Sequence, residues 1–440
     1  MSTGGPLARS IGLALAACSL PAGAMELNYS VATALGYSDD VNQSGTDPVG
    51  QSMLIPRLNF DLKEDGAYLR AHAVGQLEYR DYLQGAFGNE VRGELSALAT
   101  WMILPDRLNF AFEDYASVQP INQLEPNAPG NQQQINVFTL GPTFNFRLAQ
   151  TLNGQAELRV SDSTASQTHE FDSTRATAAL RALKDFSKLD RVSANVEVED
   201  VHFSDASGGP DYRRSEAFAR YQSKLNQLDI DIAAGYSQVD FSSQTGLLPP
   251  VRSQSGPLAR GAVSWRMTPS QTLTLGATRE FGDVTQDLAV DPSAWVARAS
   301  GSGIVTGTLP IDSQVFLERN VDASYTFQNA RFRLRLEPYR RKLDYLIDST
   351  FDQTATGGTL SASYRLRPLW TLAFEAGDES RNYSMIQRRD EDRRYDLSFT
   401  DQLLRQWSVR FDLIRNERRS TAAGQDFREN VAFCTFIFTR

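Results

Sequence analysis

The last residues of the chain, Asn430–Arg440, read NVAFCTFIFTR and have the pattern of an apolar strand. Alternation places Ala432, Cys434, Phe436 and Phe438 on one face of that strand. In a water-soluble sheet, a long apolar edge of this kind would pair with other chains. It becomes stable when another strand of the same chain closes the edge and when lipid covers the apolar face. The ending therefore predicts a closed sheet in a membrane.

The same period-two alternation recurs from Glu26 onward. It is clear in LNYSVATALGY (27–37), LDIDIAAGYSQ (228–238) and WTLAFEAG (370–377), where apolar residues alternate with small or polar ones. A tilted strand needs about 9–11 residues to cross a membrane, whereas strands of soluble sheets average about 5–6. No sequence motif repeats at a fixed period, which argues against a soluble propeller or β-helix.

The breaks between these segments alternate in length. Short breaks fall at 104–108, 148–152, 224–228, 267–273, 327–331, 366–370 and 403–407. Long polar breaks fall at 117–134, 241–256, 282–313 and 378–392. We predict an all-β fold for residues 25–440, a transmembrane up-and-down antiparallel β-barrel of about 20 strands, with 18 as the alternative. Short turns would be periplasmic and long loops extracellular.

Aromatic residues lie beside many breaks, as in the interfacial girdles of lipid-facing barrels. They are Trp101, Phe110, Phe112, Phe146, Trp265, Phe327, Trp370 and Trp407. Phe436 and Phe438 in the final strand also resemble the C-terminal assembly signal of outer-membrane barrels, although Thr439 and Arg440 follow the terminal aromatic residue.

Charge and composition exclude several classes of protein. The 440 residues include 53 Asp and Glu against 44 Lys and Arg, and this acidic balance argues against nucleic acid as a partner. After the N-terminus no run reaches the ~18 apolar residues of a spanning helix. Three histidines, His72, His169 and His202, occur without a nucleophile or metal-ligand spacing. We therefore expect no enzyme activity, no cofactor and no metal site.

Residues 1–24 have the pattern of a signal peptide. Arg9 precedes a short apolar core, and Ala22-Gly23-Ala24 is a typical cleavage site, so the mature chain would begin near Met25. Leu15-Ala16-Ala17-Cys18 offers an alternative, because it resembles a lipoprotein cleavage site with Cys18 acylated. Either interpretation places the protein outside the cytoplasm.

Alternation also directs many charged residues toward the barrel interior. They are Arg57, Arg70, Arg92, Glu94, Arg147, Glu157, Arg159, Arg181, Glu197, Glu199, Arg260, Arg266, Asp322, Arg365 and Glu375. The simplest interpretation is that mixed charges pair across strands in a polar lumen. A denser basic group would attract carboxylates and line the pore. It comprises Arg331, Arg333, Arg335, Arg341, Arg365 and Arg367, together with Glu337 and Glu375.

Two segments carry a family resemblance. ALGYSDDVNQS (34–44) resembles a recurring opening, Gly-Tyr-Ser/Thr-Asp-Asn-Val, with Asp40 in place of the Asn. RRSTAAGQDFREN (418–430), followed by an aromatic strand, resembles the close of the same family. These are the β-barrel porin type 2 proteins, including the barrels associated with the exosortase (PEP-CTERM) system and exopolysaccharide loci of Gram-negative bacteria.

The resemblance implies an outer-membrane component that helps an exopolysaccharide to cross the membrane, and it supplies no catalytic residues. Two hypotheses follow: a pore or export channel for an acidic polysaccharide, or a plugged barrel that serves as a surface scaffold or assembly partner. The implied partners are outer-membrane lipid and lipopolysaccharide, the barrel assembly machinery, polysaccharide-export proteins and an acidic polysaccharide.

Overall fold

The computed structural model describes residues 25–205, 209–242, 253–288 and 311–440. The predicted leader, with its alternative at Cys18, lies outside these residues, as do parts of the predicted loops 241–256 and 282–313.

Twenty strands account for nearly all of the regular structure. They are β1 (Glu26–Ser38), β2 (Gln51–Asp65), β3 (Leu69–Tyr82), β4 (Glu90–Leu104), β5 (Leu108–Pro120), β6 (Gln132–Ala149), β7 (Leu152–Ala165), β8 (Ser173–Asp185), β9 (Asp190–Phe203), β10 (Tyr212–Lys224), β11 (Leu228–Phe241), β12 (Gln254–Thr268), β13 (Gln271–Gly282), β14 (Phe316–Gln328), β15 (Phe332–Tyr345), β16 (Gln353–Arg367), β17 (Trp370–Tyr383), β18 (Arg388–Gln402), β19 (Trp407–Ser420) and β20 (Phe427–Thr439). In the described residues, the connections contain one short helix, α1 (Val284–Leu288), and single 3₁₀ turns at Pro129–Asn131, His169–Phe171 and Ser349–Phe351. No helix in the described part of the chain is long and apolar enough to cross a membrane.

The strands form one closed ring. Each strand pairs antiparallel with the next, and β20 pairs with β1 from Ser30↔Thr439 to Ser38↔Val431. The backbones of Tyr29 and Arg440 extend this seam with two further hydrogen bonds of 3.0 and 2.9 Å. The prediction of a twenty-stranded barrel is confirmed, and the alternative of eighteen strands is wrong. Closure removes the apolar edge of the final strand, because β1 satisfies its backbone groups.

The two ends of the barrel differ as predicted. Connections of two to four residues join β2 to β3 and each later even-numbered strand to the next, and the start of β1 and the end of β20 lie at this same end. With the exception of the β17–β18 turn, the connections at the other end are longer. One predicted loop is much shorter than expected. β17 runs to Tyr383 and β18 begins at Arg388, so most of 378–392 is strand and the connection is 384–387. Residues 378–392 are polar on both faces of the hairpin because β17 and β18 extend past the apolar belt.

Apolar side chains form a belt on the outer face. On β19 the outward residues Trp407, Val409, Phe411 and Leu413 are followed by Arg415, and neighbouring strands show the same change. Trp101, Trp265, Trp370 and Trp407 lie near the short turns, as an interfacial girdle requires.

Candidate functional site

The connection between β5 and β6, residues 121–131, folds across the barrel, and we call it the crossing loop. Arg388 donates from Nη2 to the Leu124 carbonyl at 2.5 Å, and Arg418 donates from Nη1 to the Glu125 carbonyl at 3.2 Å. Gln353, at the start of β16, donates from Nε2 to Oε1 of Gln123 at 3.4 Å. Because strands neighbour one another in chain order, β16 lies about halfway around the ring from β5 and β6. The loop therefore bridges opposite walls.

Two asparagines hold the crossing loop in this shape. Asn131 donates from Nδ2 to the carbonyls of Asn122 at 2.8 Å and Pro126 at 3.0 Å. Its Oδ1 accepts from the backbone N–H of Asn122 at 2.8 Å, and Asn122 accepts from Leu124 N–H at 3.0 Å. The loop thus satisfies its own backbone groups and presents the remaining carbonyls to the arginines.

A second segment, residues 283–288 and 311–315, also packs inside the barrel, and we call it the capping segment. Val284, Leu288 and Ile311 form one buried apolar cluster with Ile135 and Val137. The latter two lie on the inward face of β6, seven strands from β13. The capping segment therefore covers the lumen beside β6 and β7.

A buried ion pair anchors the capping segment. Arg175 on β8 donates from Nη1 to the Asp283 carboxylate and from Nη2 to Thr285 Oγ1 at 2.8 Å. Tyr212 on β10 donates to the same Asp283 oxygen at 2.5 Å. On β10, Arg214 donates from Nη1 to the Phe281 carbonyl at 2.8 Å. Breaking one partner of such a buried network typically costs about 3–5 kcal/mol, because the other charge is left unpaired.

One carboxyl of the capping segment has a strongly shifted pKa. The pKa of Asp312 is raised to about 7, chiefly by burial and to a smaller extent by the nearby carboxylates of Asp283, Glu170 and Asp348. The backbone N–H of Gln314 donates to Asp312 Oδ1 at 3.0 Å and opposes this rise. Asp312 therefore becomes ionised near neutral pH, and its negative charge then opposes the packing of the capping segment.

A cavity of about 390 Å³ lies between the crossing loop and the opposite wall. Gln123, Asn127 and Pro129 of the loop form one side, and the β1–β2 connection, β2–β4 and β15–β20 form the other. Its lining includes five inward-facing arginines and three inward-facing acids: Arg80, Arg92, Arg381, Arg394, Arg418, Glu379, Asp392 and Glu429. Tyr82 and Tyr339 add aromatic rings. The site is polar, mixed in charge and richer in cations.

Neighbouring acids orient these arginines. Arg418 binds Asp392 with two bonds of 2.6 and 2.9 Å, and Arg381 binds Glu379 two residues away on its own strand. Arg92 binds Glu90 at 2.5 Å, while its Nε is buried and lacks an acceptor among the described residues. A buried donor without an acceptor is a position at which an oxygen of a bound molecule would be stabilised.

The basic group predicted to line the pore lies near this cavity rather than in it. Arg333, Arg335, Glu337 and Arg341 occupy alternate positions of β15 on its inward face. They are not a row of one sign, since Arg335 pairs with Glu337 at 2.7 Å and Arg341 pairs with Glu318 at 2.9 Å. Alternation brings Glu337 to the same face, and the register brings Glu318 from β14.

Two members of that predicted group lie elsewhere. β15 begins at Phe332, so Arg331 belongs to the preceding turn and not to the strand. Arg367 follows a bulge at the end of β16, which reverses the alternation there. Its guanidinium lies 4.6 Å from the centre of the Trp370 ring on the outer side, so it does not line the pore. Arg365 and Glu375 keep the inward register, and their role in a pore stays a prediction.

Each histidine contacts an aspartate. The ring nitrogens of His72, His169 and His202 lie 3.1, 3.1 and 2.6 Å from carboxylate oxygens of Asp61, Asp172 and Asp211. Among the described residues, no group of three or more His, Cys, Asp or Glu side chains could hold a metal ion. The absence of enzyme activity stays a prediction.

The terminal aromatic residues lie on the outer face. Phe438 contacts Trp407, with ring centres 5.1 Å apart, and Phe436 is exposed beside it. Recognition of Phe436 and Phe438 by the assembly machinery stays a prediction.

Most cavity arginines were absent from the sequence prediction, although a signal for them exists. An arginine and an acid two residues apart form an ion pair on the inward face of a strand at nine places in the described residues: Glu78/Arg80, Glu90/Arg92, Glu157/Arg159, Arg214/Glu216, Arg335/Glu337, Glu379/Arg381, Arg388/Asp390, Arg394/Asp396 and Arg410/Asp412. This spacing marks the polar wall of the barrel, because residues two apart on a strand lie about 6–7 Å apart on the same side.

The closed ring, the apolar belt and the narrowed lumen together define an outer-membrane β-barrel protein. The chain is similar in structure to the FrpB iron transporter of Neisseria meningitidis (8% identity, 93% of this chain, 82% of that chain, TM-score 0.45). It is also similar to OccK2 (OpdF) of Pseudomonas aeruginosa (8% identity, 94% and 98%, TM-score 0.39) and to the ferric enterobactin receptor PfeA of the same organism (9%, 94% and 80%, TM-score 0.45). No protein-family model and no curated protein matches the sequence. The barrel assignment rests on the strand register of this chain.

Proposed function

We propose that the protein is an outer-membrane channel of an exopolysaccharide-associated system and that it passes an acidic saccharide. The observation that carries the proposal is the arginine-rich cavity between the crossing loop and the β15–β20 wall. A closed barrel supplies a water-filled path, and a loop folded inward narrows it to the size of the solute.

The chemistry of the cavity favours carboxylates on a sugar. Guanidinium groups bind carboxylates with two parallel hydrogen bonds, and Arg80, Arg92 and Arg381 present such groups to the cavity. Tyr82 and Tyr339 supply apolar ring surface. Each of the five cavity arginines has an acid within ion-pair distance: Glu78, Glu90, Glu379, Asp396 and Asp392. Binding that is too strong would trap the solute, so this compensation of the arginine charges suits passage.

A planar-bilayer measurement tests the proposal. Current through the reconstituted barrel should be blocked by an oligogalacturonate and not by a neutral maltooligosaccharide of the same length. Replacing Arg381 and Arg394 by Gln should weaken the block about tenfold, as expected for the loss of two charge-assisted contacts. The matched control is Arg260→Gln, because Arg260 pairs with Glu216 and Glu280 on the other wall and lies outside the cavity. Equal block by both sugars would contradict the proposal.

The second candidate is a plugged barrel that acts as a surface scaffold. It is favoured by the capping segment, whose apolar cluster and buried Asp283 resemble a folded core more than a mobile loop. An absence of conductance in every orientation and voltage, with normal folding, would select this candidate over the channel.

A further inference from the structure

The outer face of the barrel is charged unevenly just above the apolar belt. On five strands between β13 and β19, the first outward polar residue above the belt is an arginine: Arg279, Arg319, Arg340, Arg393 and Arg415. On four strands of the other arc it is an aspartate: Asp81, Asp114, Asp162 and Asp200. One side of the barrel therefore presents positive charge at the height where the apolar belt ends.

The positive charge is densest on β19 and β20. Arg415, Arg419 and Arg428 surround the single carboxylate of Glu417 at 3.4, 3.0 and 3.9 Å. Their side chains are 42, 62 and 57% exposed, whereas Glu417 is 11% exposed. We call these three arginines the outer arginine patch. One acid faces three guanidinium groups, so most of their charge is available to a partner.

The patch lies directly above apolar surface. Leu413 is the outward residue before Arg415, and it pairs with Ala432 on β20, two strand positions below Asn430. Phe411 and Cys434 continue the apolar surface further down. A molecule with an anionic head and acyl chains would place the head on the arginines and the chains on the belt.

We propose that the outer arginine patch binds the phosphate groups of a phosphorylated glycolipid of the outer leaflet, namely lipopolysaccharide. Guanidinium forks match phosphate oxygens in geometry and charge, and the bonds are strengthened beside the apolar belt. Only the outward face of β19 and β20 is involved, so this binding is independent of the lumen and of any solute that passes through it.

Binding of lipopolysaccharide to the refolded barrel tests the proposal. The barrel is refolded in detergent without lipopolysaccharide, checked by its heat-modifiable migration, and titrated with a fluorescent lipopolysaccharide or with the same lipid after removal of its phosphates. The test variant carries Arg415→Gln, Arg419→Gln and Arg428→Gln. The control is Arg213→Gln, because Arg213 is an outward arginine at the upper end of β10, on the opposite arc, where it pairs with Asp200.

We expect the wild-type barrel and the Arg213→Gln control to bind the phosphorylated lipid equally, and the triple variant to bind about tenfold or more weakly. Removal of the phosphates should weaken binding to the wild type to the same extent, and this comparison needs no variant to fold. Equal affinity of the wild type for both lipids would overturn the proposal. Unchanged binding of the phosphorylated lipid by the triple variant would also overturn it.

Discussion

Phe433 lies in the lumen directly over Gly36, its partner across the seam that closes the barrel. A Cβ atom added at Gly36 would lie 2.1 Å from the Phe433 ring, closer than any real contact. The aromatic ring therefore requires glycine on the facing strand, at the point where the first and last strands must join.

We expect Gly36→Ala to destabilise the barrel by about 1–3 kcal/mol, the range for overpacking a filled site. Heat-modifiable migration during denaturant titration would measure the change. In a Phe433→Ala background, Gly36→Ala should cost much less, because the ring that causes the clash is absent. Gly377→Ala is the matched control, since open space surrounds its Cβ position. Equal effects of Gly36→Ala and Gly377→Ala would show that the seam is not sensitive to packing.

Release of the crossing loop should widen the pore. Arg388→Gln together with Arg418→Gln removes the donors to the Leu124 and Glu125 carbonyls, so the loop loses its attachment to the opposite wall. Single-channel conductance should rise and become noisier. Arg410→Gln is the control. Arg410 pairs with Asp412 on the same wall, so its substitution removes one charge without releasing the loop. Unchanged conductance in the double variant would mean that the loop does not limit the current.

The packing of the capping segment should depend on pH through Asp312. The folded pKa near 7 lies above the ordinary value of 3.8, so the protonated form favours packing. This contribution is complete below about pH 4 and is lost as the pH rises through 7. The probe is a cysteine at position 313, introduced as Ser313→Cys in a chain that also carries Cys434→Ser. The rate at which maleimide labels this cysteine should increase with pH more steeply than the ionisation of its thiol alone predicts. Asp312→Asn should remove the excess, and an identical pH profile in both backgrounds would contradict the assignment.

Labelling of whole cells tests which end of the barrel faces outward. A cysteine at Met385, in the connection 384–387, should react with an impermeant maleimide, whereas one at Asp106, in the β4–β5 turn, should not. The reverse result would invert the barrel in the membrane. Both substitutions are made with Cys434→Ser so that a single thiol reports.

Local pattern was sufficient for the barrel itself. Period-two alternation depends on neighbouring residues alone, and every strand that faces lipid needs an apolar outer face. Segments 228–238 and 370–377 could therefore be recognised as strands independently of each other. The long loop predicted at 378–392 was wrong because polarity on both faces was taken to mean a loop, whereas a strand above the membrane needs no apolar face.

The lumen required tertiary structure. Leu124 and Arg388, which tether the crossing loop, lie 264 positions apart in the chain, and Arg175 and Asp283 lie 108 apart. No local pattern couples residues at such separations. Sequence placed Arg335 and Arg341 on an inward face, but the acids that pair with them came from alternation on the same strand and from register with β14. Arg367 was misplaced because a bulge shifts the alternation by one residue. The sequence alone determined a closed, lipid-covered barrel, since alternation and apolarity are local properties. Which loops enter that barrel and which charges meet there was decided by closure of the ring, since closure alone brings distant strands face to face.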